Sequence, residues 1–226
     1  MQDIFSDKII IKRTKRKKTI AIKIEGKNII VLSPKLVSER YLKTILEKKK
    51  DWIKNKLEEE SLKNTIKKRS FLDGEKFLKF GKTKKLIYKK SSLNQVVETN
   101  NFIKVFCASE KDIKTHLETW YKETLNYYIK EKLEFFKSLM NVEYKGFKIK
   151  LYKNRLGSCS YKGSLTFNWK IAMMPHEIIN YILIHELSHL KHFNHSKSFW
   201  ENVKKFCPDY KEKKNWIKAN KNLISW

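Results

Sequence analysis

The stretch HELSHLKHFNH, His185 to His195, constrains this chain more than any other. An α-helix turns once in about 3.6 residues, so His185 and His189 project from one face, one turn apart, with Glu186 beside them. For His195 to reach the same point the chain must leave the helix and fold back, and Asn194, a residue type that tolerates left-handed backbone, is the expected pivot. Three imidazoles meeting at a point, with one coordination position left free, form the donor set of a catalytic zinc ion. A carboxylate beside that position can take a proton from water and return it to a leaving group. The pattern therefore predicts Zn2+ held by His185, His189 and His195, with Glu186 as general base. A bare H-E-x-x-H also occurs on ordinary surface helices. Here it closes the run PHEIINYILI, apolar enough for a buried helix with Pro175 in its first turn, where histidines are hard to explain by packing. Of the six histidines only His116 lies outside residues 176–195. His176 reads as structural, and His192 is expected behind the ligands rather than among them.

The 226 residues suffice for one compact domain or two small ones, and 41% hydrophobic residues are enough for a core. Cys107, Cys159 and Cys207 are odd in number, far apart and free of any C-x-x-C pair. Neither a disulfide framework nor a cysteine zinc site is implied, and a cytoplasmic location fits. The opening MQDIFSDKII lacks the apolar core of a signal peptide, and no run approaches the length of a spanning segment, so no membrane partner is expected.

The net charge of +27 arises from 51 basic and 24 acidic residues, of which only Arg13, Arg16, Arg40, Arg69 and Arg155 are arginine. Nucleic-acid surfaces lean on arginine for two-pronged contacts, whereas lysine spread through an Asn- and Ile-rich chain reads as codon bias. The lysine-rich surface would still attract nucleic acid or another polyanion weakly at low salt, most densely at KRTKRKK, residues 12–18. The plainer reading of that cluster is a solvated edge guarded by lysines.

The fold class expected is α+β. Residues 8–33 alternate like strands, with a hairpin turned at Glu25 to Lys27, and Ser38 opens one long helix carrying Leu42, Ile45, Leu46, Trp52, Ile53 and Leu57. Its tail EEESLKNTIKKRS reads as a charged extension or linker. From Phe71 to Phe106 short alternating runs broken by Asp73-Gly74, Gly81, Ser91-Ser92 and Asn100-Asn101 predict an antiparallel meander. Ser109 opens a second helix, striped from Ile113 through Leu117, Trp120, Tyr121, Leu125, Tyr128, Ile129 and Leu133 to Phe136. Three strands follow, at 147–152, 158–161 and 165–169, and after the histidines Ser196 starts a helix that stops before Pro208. The division predicted is an antiparallel β-rich module with one long helix over residues 1–106 and a catalytic domain, with a small sheet and the HExxH helix, over 107–226.

The segment NRLGSCSYKGSLTFNWKIAMMPHEIINYILIHELSHLKHFNHSKSFW resembles the YgjP-like metallopeptidase family, related to the SprT-like and other minimal zinc peptidases. The likeness extends more weakly to TKRKKTIAIKI, Trp52-Ile53 and DGEKFLKFGK. It implies a minimal zincin-like fold, a zinc metallopeptidase acting on a peptide or protein, the ligands and base named above, and Gly157 to Ser160 as a wall of the cleft. Leu156 stands where the family commonly has an aromatic. Metzincins share the histidine spacing but carry a methionine turn downstream, and Met1, Met140, Met173 and Met174 all precede the third histidine.

Several roles remain open on sequence alone. Arg155, Asn168 and Tyr210 are candidates to contact the transition state or substrate. Asp209, Glu177 and Glu201 are candidates to orient a ligand imidazole. Leu165 to Trp169 could hold an extended substrate by strand addition. The alternatives are a metal-dependent nucleotide phosphohydrolase using the same residues and a nucleic-acid-associated protease anchored by residues 12–18.

Overall fold

A computed structural model describes residues 9–16, 18–64, 69–224 and 226. The chain divides into two compact units, Met1–Lys68 and Arg69–Trp226. Lys17 of the basic cluster and residues 65–68 of the presumed linker lie outside the described residues.

In the first unit β1 (Ile9–Thr14), β2 (Ala21–Glu25) and β3 (Asn28–Pro34) form a sheet in the order β1-β3-β2. The hairpin β2–β3 turns at Gly26, whose φ of 61° suits a residue without a side chain. β1 adds parallel to β3. Ile29 and Val31 on β3 pack with Leu42 and Ile53 from the helices α1 (Glu39–Lys48) and α2 (Lys50–Asn64). Ser38 caps α1 by accepting the Tyr41 N–H at 3.3 Å. The single helix expected from the periodicity is interrupted at Lys49. Glu47, Lys48, Lys49, Lys50 and Asp51 are all exposed, so no packing holds the helical ladder straight there. Arg13, in the basic cluster, is already used: its guanidinium donates to Ser33 Oγ and to the carbonyls of Pro34 and Val37.

The second unit contains a four-stranded sheet, β4 (Lys76–Lys79), β5 (Lys82–Lys90), β6 (Gln95–Glu98) and β7 (Phe102–Cys107), ordered β4-β5-β7-β6. A simple meander was expected, but β7 runs parallel to β5 and displaces β6 to the edge. Burial explains the exchange. Ile103, Val105 and Cys107 on β7 are fully buried while Val96 and Val97 on β6 are half-exposed, so the more apolar strand takes the slot with partners on both sides. The same β7 residues share one core with Leu117, Tyr121, Leu125 and Ile129 of α3 (Ile113–Met140) and with the later helices. That shared core is why the chain divides at residue 68 and not at 106. Asn141 ends α3 in the left-handed conformation, φ 50°.

A second sheet, β8 (Gly146–Lys150), β9 (Gly157–Cys159) and β10 (Ser164–Asn168), is ordered β8-β10-β9. β10 is central, parallel to β8 and antiparallel to β9. It is paired on both sides and cannot take up a substrate strand, so the expectation for Leu165 to Trp169 is corrected: the edge strands are β8 and β9, and β9 is the one against α4. The helices α4 (His176–Ser188), α5 (Lys197–Phe206) and α6 (Tyr210–Ala219) complete the unit, with α4 against both α3 and β9. The molecule is a mixed α+β protein with several small mixed sheets and six α-helices among the described residues. No helix among them is long and apolar enough to cross a membrane.

Candidate metal centre

α4 is apolar nearly all round. Ile178, Ile179, Ile182, Leu183, Ile184 and Leu187 are buried, which by the transfer free energy of aliphatic side chains makes this helix a main contributor to the core. Ser188 closes it, its hydroxyl donating to the Ile184 carbonyl at 2.8 Å and accepting from the Asn202 amide at 3.0 Å. His189 is the cap residue, and the chain then turns through 190–195 to α5. Asn194 is not the left-handed pivot expected, since the non-glycine residues with positive φ among the described residues are Phe71, Phe80 and Asn141. It turns the chain with its side chain instead, Oδ1 accepting the Ser196 N–H at 3.2 Å. Ser196 in turn caps α5 and so fixes where Phe199 enters.

Phe199 is fully buried and its ring lies 5.0, 4.6 and 4.8 Å from the rings of His185, His189 and His195. Trp200 stacks on His195 at 5.6 Å. Backed by these aromatics, the three histidines bring one nitrogen each to within 4.8 Å of one another, and the Nε2 atoms of His185 and His195 are 3.1 Å apart. Ligands on a tetrahedral zinc at the usual Zn–N length are separated by about 3.3 Å, so the spacing suits such an ion. His189 Nδ1 lies 3.0 Å from the His192 carbonyl oxygen, which can only accept, so Nδ1 carries the proton and Nε2 presents its lone pair. His192 thus acts through its backbone. Burial, then the neighbouring imidazoles, lowers the His185 pKa to about 3, and burial likewise lowers that of His195. Neutral imidazoles are the form a metal requires. His185 Nδ1 is buried without a hydrogen-bond partner.

Glu186 follows His185 and points toward β9. Burial raises its pKa to about 7, against the opposing effects of Arg155 and of the Cys159 N–H that donates to it. β9 approaches so closely that a Cβ on Gly157 would lie 2.8 Å from Cγ and Oε1 of Glu186, so any side chain there would displace the carboxylate. The Asn168 N–H donates to the Leu156 carbonyl and the Ser160 N–H to the Ser164 carbonyl, so the peptide groups of Gly157 and Cys159, between them, face away from β10. The Cys159 N–H goes to Glu186, and the Gly157 peptide remains on an open edge beside the carboxylate. Next to it is a cavity of about 270 Å³ lined by Arg155, Leu156, Gly157, Tyr181, Ile182, His185, Glu186, Lys214 and Ile217.

Among the other candidates, Arg155 is at this cavity and the rest are elsewhere or occupied. The Asn168 amide donates to the carbonyls of Tyr152 and Arg155 and its oxygen accepts the Lys170 N–H, which leaves it shaping the 152–155 loop. Tyr210 stacks on Trp200 at 5.2 Å and is not in the cavity wall. Asp209 binds Lys213 at 2.6 and 2.7 Å, and Glu201 pairs with Lys197. Phe199, Tyr181 and Lys214 were not singled out from the sequence. Phe199 follows His195 by four residues, one helical turn, and only that spacing hints at its place.

Three imidazole nitrogens that could hold a metal ion, with a buried carboxylate alongside, are the arrangement of the divalent-metal hydrolases. The chain belongs to the YgjP-like metallopeptidase family, whose metallopeptidase domain matches residues 18–220, and is thereby a metallopeptidase. Two solved structures are similar to parts of it. The metallopeptidase zymogen of Pyrococcus abyssi abylysin is 32% identical, covers 40% of this chain and 92% of its own, with a TM-score of 0.38. The metallopeptidase zymogen of Methanocaldococcus jannaschii jannalysin is 24% identical over 40% of this chain and 94% of its own, with a TM-score of 0.37. No curated protein matches.

Proposed function

We propose that the protein is a zinc metallopeptidase in which His185, His189 and His195 hold the ion and Glu186 is the general base. The observation that carries this reading is the buried Glu186 carboxylate between the three converging imidazole nitrogens and the open backbone edge of β9. When bound, zinc supplies a Lewis acid that polarises a scissile carbonyl and acidifies water. Glu186 takes the proton of the attacking water on a carboxylate oxygen and delivers it to the departing amine nitrogen. A carboxyl with a pKa near 7 is suited to both transfers. The Cys159 N–H fixes its orientation, and the Gly157 peptide offers an N–H and a C=O to an extended substrate backbone. That backbone edge favours a peptide over a nucleotide phosphoanhydride. Weak polyanion attraction through the lysine-rich surface and a cytoplasmic location complete the reading.

The test is Glu186→Gln, which should retain one zinc per chain while peptide cleavage falls about 10³-fold, within the range for loss of a general base. Peptide and nucleotide panels are run in parallel on the wild type. Nucleotide hydrolysis without any peptide cleavage would refute the peptidase assignment.

A further inference from the structure

The cavity beside Glu186 has apolar walls, Leu156, Ile182 and Ile217, and apart from His185 and Glu186 themselves its polar lining consists of three donors, Arg155, Lys214 and Tyr181. Arg155 and Lys214 are exposed at its rim, and neither is in an ion pair among the described residues. Lys214 is held in place with its ammonium 4.5 Å from the Trp200 ring centre. Tyr181 forms part of the lining, 5% exposed, with a hydroxyl that makes no hydrogen bond among the described residues. Its phenol O–H can donate to a ligand. Two cations without an ion-pair partner and a phenol O–H at one apolar cavity define the group that would meet them. The matching ligand group is a carboxylate, which accepts from all three.

The direction of a bound peptide follows from β9. Antiparallel pairing is the more stable mode, and a strand added antiparallel to Gly157–Cys159 runs, from its N- to its C-terminus, toward Arg155. The residue after the scissile bond then falls at the cavity.

We infer that Arg155, Lys214 and Tyr181 select peptides bearing a carboxylate just after the cut, supplied by an Asp or Glu side chain or by the peptide's own C-terminus. This rests on the peptidase reading but is testable without turnover. The net charge of +27 attracts any acidic peptide, so the probes must share composition. Fluorescence anisotropy on the Glu186→Gln protein compares two C-terminally amidated isomers, with a single Glu near the C-terminal or the N-terminal end, and a neutral pair ending in free acid or amide. The C-terminal Glu isomer should bind about tenfold more tightly than the N-terminal one, the scale of two partly solvated ion pairs and one hydrogen bond. A like preference for free acid over amide would identify the chain terminus as a further source. Lys214→Glu should abolish the preference and Tyr181→Phe should reduce it. Equal binding of both pairs, or a preference unmoved by Lys214→Glu, overturns the inference. Mass-spectrometric profiling of wild-type cleavage products reads the mechanism separately: absence of any cut counts against the peptidase assignment, and cuts without carboxylate enrichment on their C-terminal side count against the selectivity alone.

Discussion

Two places in the second unit bury charge-bearing side chains, and they treat them in opposite ways. On the β4–β7 sheet Lys84 is 5% exposed, and its ammonium is fully satisfied by Glu98 at 2.7 Å and by the carbonyls of Thr99 and Asn100 at 2.7 and 3.3 Å. At the α4–β9 contact the Nδ1 of His185 has no partner, Glu186 is driven toward neutrality, and one methyl group on Gly157 would collide with it. At Lys84 the sheet matches its buried charge with partners, whereas the α4 site holds its polar groups in unfavourable states that the surrounding core must offset. Unsatisfied polarity is therefore the mark of the working part. Lys79 breaks the pattern, being on the sheet yet without a hydrogen bond, its ammonium 3.9 and 4.6 Å from the ring centres of Phe80 and Trp120.

The contrast can be broken by substitution. His189→Ala should abolish zinc retention and lower turnover by at least about 10³-fold, while Lys84→Met leaves both untouched; metal analysis with a peptide assay decides it. Gly157→Ala should reduce turnover by about 10–100-fold by displacing Glu186, with zinc content unchanged. Should it act at wild-type rate, β9 does not constrain the carboxylate. Lys84→Met should cost about 2 kcal/mol in urea unfolding, because the Thr99 and Asn100 carbonyls and Glu98 lose their donor. Lys79→Met should instead stabilise by about 1 kcal/mol at pH 7. Burial lowers the Lys79 pKa to about 8, below its unfolded value, so unfolding takes up a proton between about pH 8 and 10. The penalty is complete below pH 8, and wild-type stability should rise as pH increases through that window. In Lys79→Met that rise should vanish, and its persistence would assign it to another group.

The α4 site was more legible in the sequence than the sheets around it. Its ligands are set by helical spacing within a few residues, and helix starts at Ser38, Ser109 and Ser196 follow from local capping chemistry, as does the α3 stripe. Alternation shows which residues of a strand share a face but not which strand lies beside it. Hence the parallel pairing of β5 with β7 and the central place of β10 were hidden, and with them the true open edge. Asn168 illustrates a second limit. Its amide is committed to Tyr152 and Arg155, more than ten residues away, and nothing local distinguishes it from a group free to meet a substrate. The division of the chain at residue 68 depends in the same way on a core assembled from distant segments.

Trp200, stacked between His195 and Tyr210 with Lys214 over its ring, gives the protein an intrinsic optical probe. Indole emission responds to the charge and electron demand of whatever lies against its face. Occupation of the three-histidine pocket should therefore register as a change in tryptophan fluorescence, allowing ion uptake to be titrated on unlabelled material.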